Sequence, residues 1–483
     1  MSKLSKIIAL VLVVCFSAAI LSGCGSKSNG ADMSKPVKLI YYTIGDKQKD
    51  SDLVIAQLND YLKEKINATV EIKYIGFGDY TTKMNVVASS GENYDLAFTC
   101  GWAFNTNQAV QKGYLVPIDD LMDQYAMELK TIINPIFWQG TAINGKHYGV
   151  PCNKEVATEA VFVFNNDMVG KYGVDVSKVK SLNDLAPIFA KVHAANPGLN
   201  LYAAGDRLYD YDFLVANNFP GAIRVDNDSL KVVNQFEDQK CIDVLKKQRE
   251  YAKLGYISKD LLAKTENTDF NNRKLFCEGR DGNPYADLQW SRDAGFPVVS
   301  VSEYPAVATS QTVSGSMVAI SATSQNPERA MMFLNFLNTD QFVRNLINYG
   351  IEGVHYTKTA PNEIEFTKRH SDYAPPQFTL GNFFILYTVK GEPADKWEAY
   401  KKFNANVKKS PALGFNFNPE PVKNEIAALQ NMADEYIRPL MLAAVEVEPT
   451  LQQYLPKAKA AGLDKVLAEM QKQIDAWKAT AKK

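Results

Sequence analysis

Apolar and polar stretches alternate regularly in the first part of the chain and predict strands and helices in turn. Val37 to Thr43 is a short apolar run typical of a strand, and Asp50 to Ile66 carries apolar residues at helical spacing. Thr69 to Ile75 then predicts a second strand, followed by a helix over about Tyr80 to Ser89 and a strand over Tyr94 to Phe98. This repeated order indicates an open α/β sheet.

A second unit of the same kind is predicted further along the chain. Ala160 to Asn165 reads as a strand, and a helix follows near Leu182 to Ala194, which Ser181 is expected to cap. Asn326 before Pro327 marks another helix start. The last predicted helix begins at Leu463, and its apolar stripe consists of Val466, Leu467, Met470, Ile474 and Trp477.

The segment after the third predicted strand is a candidate binding loop. In open α/β sheets, ligands bind beyond the carboxyl ends of the strands. Thr99 to Asn107 occupies that position. We therefore expect this loop to face the ligand.

The N-terminus has the three parts of a secretory signal. Lys3 and Lys6 precede an apolar run from Ile7 to Ile20, which is shorter than the roughly 20 residues that a spanning helix requires. The run ends in Leu-Ser-Gly-Cys, which resembles a bacterial lipobox with Cys24 as the lipid-modified residue. Residues 1–23 are thus predicted to be a signal peptide and 24–36 a flexible tether, which anchors the protein to a membrane without spanning it.

The composition narrows the possible classes of protein. With 483 residues, 46% of them hydrophobic, the chain is long enough for two or more units. A formal net charge of −1 argues against nucleic acid as a partner. The remaining cysteines contain no CxxC pair, so neither a disulfide framework nor a zinc ribbon is expected, and nothing indicates a cofactor.

The sequence matches the motifs of nucleotide-binding, metal-binding and nucleophilic sites only weakly. Residues 140–147 lack the final Ser or Thr of a phosphate loop, and we interpret Asn144-Gly145 there as a turn between two strands. The four histidines have no metal-ligand spacing, and Cys152 with His147 lacks a third orienting group. The acidic run at 226–230 is a poor match to a calcium loop. No metal site is predicted.

Several stretches together resemble the extracellular solute-binding protein family 1, the maltose-binding-like receptors of ABC importers. They are YDLAFT at 94–99, GYLVPIDDLMDQY at 113–125, INGKHYGVP at 143–151, VFVFNNDMVGKYGV at 161–174, SLNDLAPIFAKV at 181–192 and SGSMVAISATSQNPERAMMFLNFL at 314–337. The C-terminal part, with YGIEGVHY at 349–356 and AGLDKVLAEMQKQIDAWK at 461–478, is similar to a lipoprotein subgroup of Gram-positive bacteria.

This resemblance implies an α/β, two-lobed, periplasmic-binding-protein-like fold with a hinge between the lobes. Lobe one is expected to hold residues 36–152 and 310–355, and lobe two residues 153–309 and 356–483. Crossovers near Pro151 and Thr309 would place two hinge strands side by side. The implied function is that of a monomeric, non-enzymatic receptor on the extracellular face of the cell membrane. It captures an oligosaccharide and delivers it to the transmembrane subunits of an ABC transporter.

Sugar sites combine aromatic rings, which stack on C–H faces, with polar side chains that bind hydroxyls. In the family, the loop after YDLAFT and loops of the second lobe contact the ligand, which favours Trp102 and Trp290. Trp138, Trp397 and Trp477 are expected to pack in the core. The full set of candidate ligand-binding residues is Trp102, Phe104, Asn105, Tyr209, Asp212, Tyr285, Trp290, Asn382 and Phe384.

Two alternatives remain open at the level of sequence. A receptor for a peptide or another non-sugar solute is possible because the fold does not fix the ligand. A surface-anchored glycoside hydrolase needs only two carboxylates beside a sugar, which many chains could supply.

Overall fold

A computed structural model describes residues 31–205, 208–260 and 269–481. The predicted signal peptide, Cys24 and most of the tether lie outside the described residues. The strands are β1 Val37–Ile44, β2 Ala68–Ile75, β3 Leu96–Thr99, β4 Gly149–Pro151, β5 Glu159–Asn165, β6 Asn200–Tyr202, β7 Tyr211–Phe213, β8 Gly221–Arg224, β9 Val232–Asn234, β10 Leu275–Gly282, β11 Val298–Tyr304, β12 Val307–Ala308, β13 Met317–Ile320, β14 Tyr356–Ala360, β15 Glu363–Phe366, β16 Thr388–Val389 and β17 Lys408–Lys409.

Helices connect and cover these strands. They are α1 Ser51–Ile66, α2 Tyr80–Ser90, α3 Thr106–Gln111, α4 Asp119–Tyr125, α5 Leu129–Ile132, α6 Pro135–Thr141, α7 Asn166–Tyr172, α8 Leu185–Ala195, α9 Gln239–Lys253, α10 Ala286–Ala294, α11 Ser310–Val313, α12 Pro327–Thr339, α13 Gln341–Tyr349, α14 Lys396–Asn406, α15 Lys423–Met432, α16 Arg438–Met441, α17 Val447–Ala460 and α18 Leu463–Ala481. The predicted cap at Ser181 is wrong. Its hydroxyl donates to Asp184 Oδ2 at 2.8 Å, and a 3-10 turn over Leu182–Asp184 precedes α8.

The first sheet has the strand order β2-β1-β3-β13-β4. Its first three strands are parallel because α1 and α2 carry the chain back between them. The fourth, β13, runs antiparallel to both β3 and β4. A strand from residues 317–320 therefore completes a sheet begun at residue 37, and the predicted α/β class is confirmed.

The second sheet has the order β11-β5-β10-β6 and carries helices on both faces. Alternate residues of β5 point to opposite sides. Phe162 and Phe164 pack with Phe189 of α8, whereas Val161 and Val163 belong to a separate apolar cluster under α10. This sheet is thus buried on both sides.

Within the residues that the structure describes, three chain segments pass between the regions of these two sheets. The sequence predicts neighbouring hinge strands near Pro151 and Thr309. The segments that flank these two crossings do pair, Pro151 with Met317 and Ala160 with Tyr304. In addition, β12 pairs in parallel with β17, a segment one hundred residues later. The crossing after β4 is held by the Asn404 side chain. Its amide donates to Lys154 O at 2.9 Å and accepts from Val156 N at 3.1 Å. A buried carboxamide and a short two-stranded pairing therefore hold the crossings together.

The residues after 355 pack in two different places. Strands β14 to β16 form a small sheet, which shares an apolar cluster with Tyr349 of α13. The helices α15 to α18 instead share a core with Phe219, Phe236 and Leu245. The division of the chain between the lobes stays a prediction, and these contacts describe only where each part is buried.

Candidate functional site

A cleft of about 1250 Å³ lies between the first sheet's loops and the C-terminal part of the chain. One wall is formed by α3 and the segment from Gln139 to Tyr148, and the other by Leu413 to Asn418 and the end of α18. A second cavity of about 250 Å³ shares Asn107, Phe415 and Asn416 with it, so the two are adjacent. The volume of the larger cavity exceeds the roughly 300–1,000 Å³ typical of sites for drug-sized ligands.

The lining of the larger cavity is uncharged and combines carboxamide with apolar and aromatic side chains. Among the described residues that line it there is no Asp, Glu, Lys, Arg or His. Its aromatic side chains are Tyr148, Phe415, Phe417 and Trp477, and its carboxamides are Asn107, Gln111, Gln139, Asn144, Asn416, Asn418 and Gln473. Amides donate and accept hydrogen bonds equally well, and aromatic faces bury apolar C–H groups. Such a surface suits a neutral, hydroxyl-rich molecule.

The first wall is shaped by two local motifs. The Asn105 side chain caps α3 by accepting from Gln108 N at 3.1 Å, which orients the helix start toward the cleft. Asn144 and Gly145 have φ values of 51° and 75° and form the predicted turn, closed by hydrogen bonds between Ile143 and Lys146. The turn presents the Asn144 side chain to the cavity.

The base of the cleft depends on two glycines that permit close backbone approach. A Cβ at Gly140 in α6 would stand 2.2 Å from Val313 Cγ2 and 2.8 Å from Leu413 Cδ1. Gly414 has a φ of 95°, and a Cβ there would stand 2.9 Å from Gln139 O. These positions therefore allow the segment around residue 413 to lie directly on α6.

Carboxamides also join the two walls directly. Asn107 Nδ2 donates to Asn416 Oδ1 at 2.9 Å, and Asn416 Nδ2 donates to Ala142 O at 3.1 Å. Lys409 Nζ donates to Gln139 Oε1 at 3.0 Å nearby. The side-chain amides in these contacts can also donate hydrogen bonds to sugar hydroxyls and accept them.

Asp212 is the one charged residue among the described residues that line the smaller cavity. It is almost fully buried, and its Oδ2 accepts a hydrogen bond from Ser410 Oγ at 2.6 Å. Burial raises the pKa of its carboxyl to about 6, and the hydrogen bond from Ser410 opposes part of that rise.

Trp102 stands beside this cavity with 53% of its surface exposed. Its indole N–H donates to Gly315 O at 2.9 Å, which fixes the ring. Phe77 lies nearly parallel to it at 6.4 Å, and Phe378 lies 6.3 Å away. The neighbouring Gly101 and Asn105 line the smaller cavity.

Two predicted ligand residues are buried in the protein instead. The Phe104 ring is 1% exposed within the core beside the first sheet, so it has no surface for a solute in this conformation. The buried Asn382 amide donates to Asn338 O at 3.0 Å and accepts from Phe384 N at 3.0 Å. Its hydrogen-bonding groups are thus committed to the backbone around it.

The other predicted residues lie away from the two cavities. Tyr209 stacks on Tyr304 at 6.2 Å, and the Tyr285 hydroxyl donates to Asp395 at 3.0 Å. Trp290 packs under the second sheet, with the Arg280 guanidinium 5.3 Å from its ring. Phe384 lies edge-on to Trp397 at 6.5 Å. The structure does not bring Trp290 together with Trp102 in either cavity.

The sequence analysis missed the wall built by the C-terminal residues. Trp477 was expected to pack, and it does pack against the apolar cluster of Phe415 and Ile474. Its ring also lines the larger cavity, with Phe415 edge-on at 5.8 Å, and this role was not predicted. The run Phe415-Asn416-Phe417-Asn418 alternates aromatic and amide side chains, which is the composition expected of a sugar site. That alternation is the signal from which this wall could have been found.

Neither a metal site nor a membrane span emerges from the residues that the structure describes. Within 31–205, 208–260 and 269–481, no group of three or more His, Cys, Asp or Glu side chains is arranged to hold a metal ion. In the same ranges, no helix has the length and apolar character needed to cross a bilayer.

Residues 47–342 match the family of bacterial extracellular solute-binding proteins, and the chain belongs to this family. Residues 411–479 match a second family model, described as a domain of unknown function, DUF3502. The predicted family, its two-lobed α/β fold and its place outside the cytoplasmic membrane are thereby confirmed.

The chain is similar along almost its whole length to a particular group of these receptors. It is 32% identical over 474 residues, or 95% of both chains, to a carbohydrate ABC transporter substrate-binding protein of Streptococcus pneumoniae. A crystal structure of the N-glycan transport solute-binding protein NgtS from that species superposes with a TM-score of 0.85, at 33% identity, covering 92% of this chain and 99% of NgtS. A complex of NgtS with Man5GlcNAc gives a TM-score of 0.74, at 32% identity, with 92% and 98% covered.

Proposed function

We propose that this protein is a receptor that captures a neutral oligosaccharide and delivers it to the transmembrane subunits of an ABC transporter. The observation that carries the proposal is the uncharged cleft, in which carboxamides alternate with aromatic rings over a volume of about 1250 Å³. Sugars need hydrogen bonds to hydroxyls and stacking on C–H faces, and this lining offers both. The volume accommodates several sugar rings.

The relatives support the same class of ligand. NgtS, at 32% identity to this chain, has been crystallised with Man1GlcNAc and with Man5GlcNAc. Both are neutral glycans, and neither needs a charged partner. An uncharged cleft in this chain is consistent with ligands of that type.

The two alternatives fit the cleft less well. A free peptide carries charged termini, which binding sites usually pair with opposite charges, and the lining of the larger cavity supplies none among its described residues. A glycoside hydrolase needs two carboxyl groups about 5 to 10 Å apart. Among the residues described around the two cavities, Asp212 is the one carboxyl. We therefore favour binding without chemistry.

We further propose that the receptor works as a monomer held by a lipid on Cys24, on the extracellular face of the membrane. The lipobox-like end of the signal supports this anchor. The polar stretch to residue 36 would let the receptor reach the transporter while staying attached. Ligand capture would close the lobes about the three crossings.

The test is a glycan array followed by calorimetry with the soluble mature protein. A neutral oligosaccharide such as Man5GlcNAc should bind, and at one hundred times Kd it should stabilise the fold by about 2.7 kcal/mol. Mass spectrometry should find the glycan intact after incubation. Binding only to peptides would replace the proposal with the first alternative, and cleavage of the glycan would replace it with the second.

A further inference from the structure

The C-terminal region matched by a domain of unknown function supplies half of the cleft. Residues 411–479 contain both chain segments of the second wall, Leu413 to Asn418 and the face of α18 with Gln473 and Trp477. These segments lie more than fifty residues apart in sequence, yet both contribute to the same cavity. The position suggests that the region has a role in ligand binding.

The DUF3502 region packs against the part of the protein that contains β7 to β9. Its helices share one apolar core with residues from Leu208 to Leu245. The contact is tight, since a Cβ at Gly221 would stand 2.4 Å from Met470 Sδ. The region therefore has no separate core, and it would move together with that sheet when the cleft closes.

The two segments of the wall are also locked to each other. Asn418 N donates to Gln473 Oε1 at 2.8 Å, and Gln473 Nε2 donates back to Asn418 O at 2.9 Å. Phe415 packs edge-on against Trp477, with ring centroids 5.8 Å apart and planes at 61°. A side chain held this way loses little conformational entropy when a ligand binds.

We infer that the DUF3502 region is the ligand-contacting wall of the second lobe and that Trp477 is its stacking platform for a sugar ring. The inference rests on the proposed function. Trp477 is half-buried and lines the cavity, with Phe415 supporting it from one side. An indole offers the largest aromatic face for a sugar's C–H groups. Asn107 and Asn144 on the opposite wall would then bind the hydroxyl groups.

The test uses the mature full-length protein and Man5GlcNAc, measured by calorimetry. Trp477→Ala should raise Kd about thirtyfold, and Trp477→Phe should raise it less because a ring remains. The matched control is Trp397→Phe, since Trp397 packs between Leu386 and Tyr400, outside both cavities. This control should leave Kd unchanged.

Tryptophan fluorescence gives a second readout that does not depend on the alanine variant folding. Man5GlcNAc should change the emission of the wild type, and Trp477→Phe should clearly reduce that change, leaving the part that Trp102 contributes. A Kd within twofold of the wild type in both Trp477 variants would overturn the inference and leave the proposed function standing. Failure of the wild type to bind any neutral glycan would overturn both.

Discussion

Asp212 and Ser410 share a buried 2.6 Å hydrogen bond, although 198 residues separate them in sequence. Asp212 belongs to β7, and Ser410 directly follows β17 in the crossing that pairs with β12. The bond thus joins the small sheet of β7 to β9 to a crossing between the two large sheets. A carboxyl group so placed makes the stability of this junction depend on pH.

The first prediction concerns that pH dependence. Burial raises the pKa of Asp212 to about 6 in the folded protein, from 3.8 ordinarily. The folded state therefore holds the proton more tightly, and this group's contribution to stability is lost as pH rises from about 4 to about 6. Asp212→Asn removes the titration. The free energy of unfolding of the Asp212→Asn variant, relative to that of the wild type, should therefore rise by up to about 3 kcal/mol between about pH 4 and about pH 7.

Urea denaturation at several pH values measures this difference. Asp293→Asn serves as the control, since Asp293 is an exposed residue of α10. A stability difference between Asp212→Asn and the wild type that stays constant with pH would contradict the assignment of a raised pKa to Asp212.

The second prediction concerns the amide contact between the two walls of the cleft. Asn416→Ala removes the hydrogen bonds to Asn107 and to Ala142 O. Each is worth about 0.5 to 1.5 kcal/mol, so without ligand the walls should separate more readily. Small-angle scattering of the ligand-free protein should show a larger radius of gyration. Asn406→Ala is the matched control, because that amide is exposed and donates to Lys402 O of its own helix. Identical scattering from both variants would rule out a bridging role for Asn416.

The third prediction tests the close approach at the base of the cleft. Gly140→Ala forces a Cβ to within 2.2 Å of Val313 Cγ2, so α6 or α11 must shift. Overpacking of this kind should lower the free energy of unfolding by about 1 to 3 kcal/mol. Gly170→Ala in α7, where no atom lies within 4 Å of the new Cβ, should be neutral or stabilise by up to about 1 kcal/mol. Equal effects on the denaturation midpoint would show that the crowding at Gly140 is unimportant.

Local patterns predicted the first sheet well because its elements are built from consecutive residues. β1, α1, β2 and α2 all begin and end within about two residues of the predicted positions. The antiparallel β13 could not be predicted in the same way, since its partners β3 and β4 are set by tertiary packing. Nothing in residues 317–320 indicates which strand they will join.

The candidate site was predicted in part, for a related reason. The loop after β3 was predicted to face the ligand, and Gly101, Asn105 and Asn107 do line the cavities. The opposite wall was missed because Trp477 continues the apolar stripe of α18, and helical periodicity alone assigns such a residue to the core. Only the fold shows that Trp477, at the end of this stripe, lines the cleft.

The fourth prediction concerns membrane attachment. Cys24→Ala should abolish lipid labelling of the expressed protein in a bacterial host, because the modified sulfur is lost. The protein should then be released from membranes into the medium or the soluble fraction. Cys15→Ala, in the apolar part of the signal, is the control and should label normally. Continued labelling of the Cys24 variant would refute the anchor.

The last prediction separates two tryptophans that the sequence placed in one site. Trp102 is 53% exposed beside the smaller cavity, whereas Trp290 packs against the Val161 and Val163 cluster under the second sheet. Trp102→Ala should therefore weaken oligosaccharide binding about tenfold, with less than about 1 kcal/mol lost in unfolding free energy. Trp290→Ala should do the opposite, costing up to about 3 kcal/mol of stability through the cavity it leaves, with Kd unchanged. Calorimetry and denaturant midpoints on the same samples measure both quantities. If Trp290→Ala lowered affinity while stability held, the site would have to extend beneath the second sheet, and our placement of the ligand would be wrong.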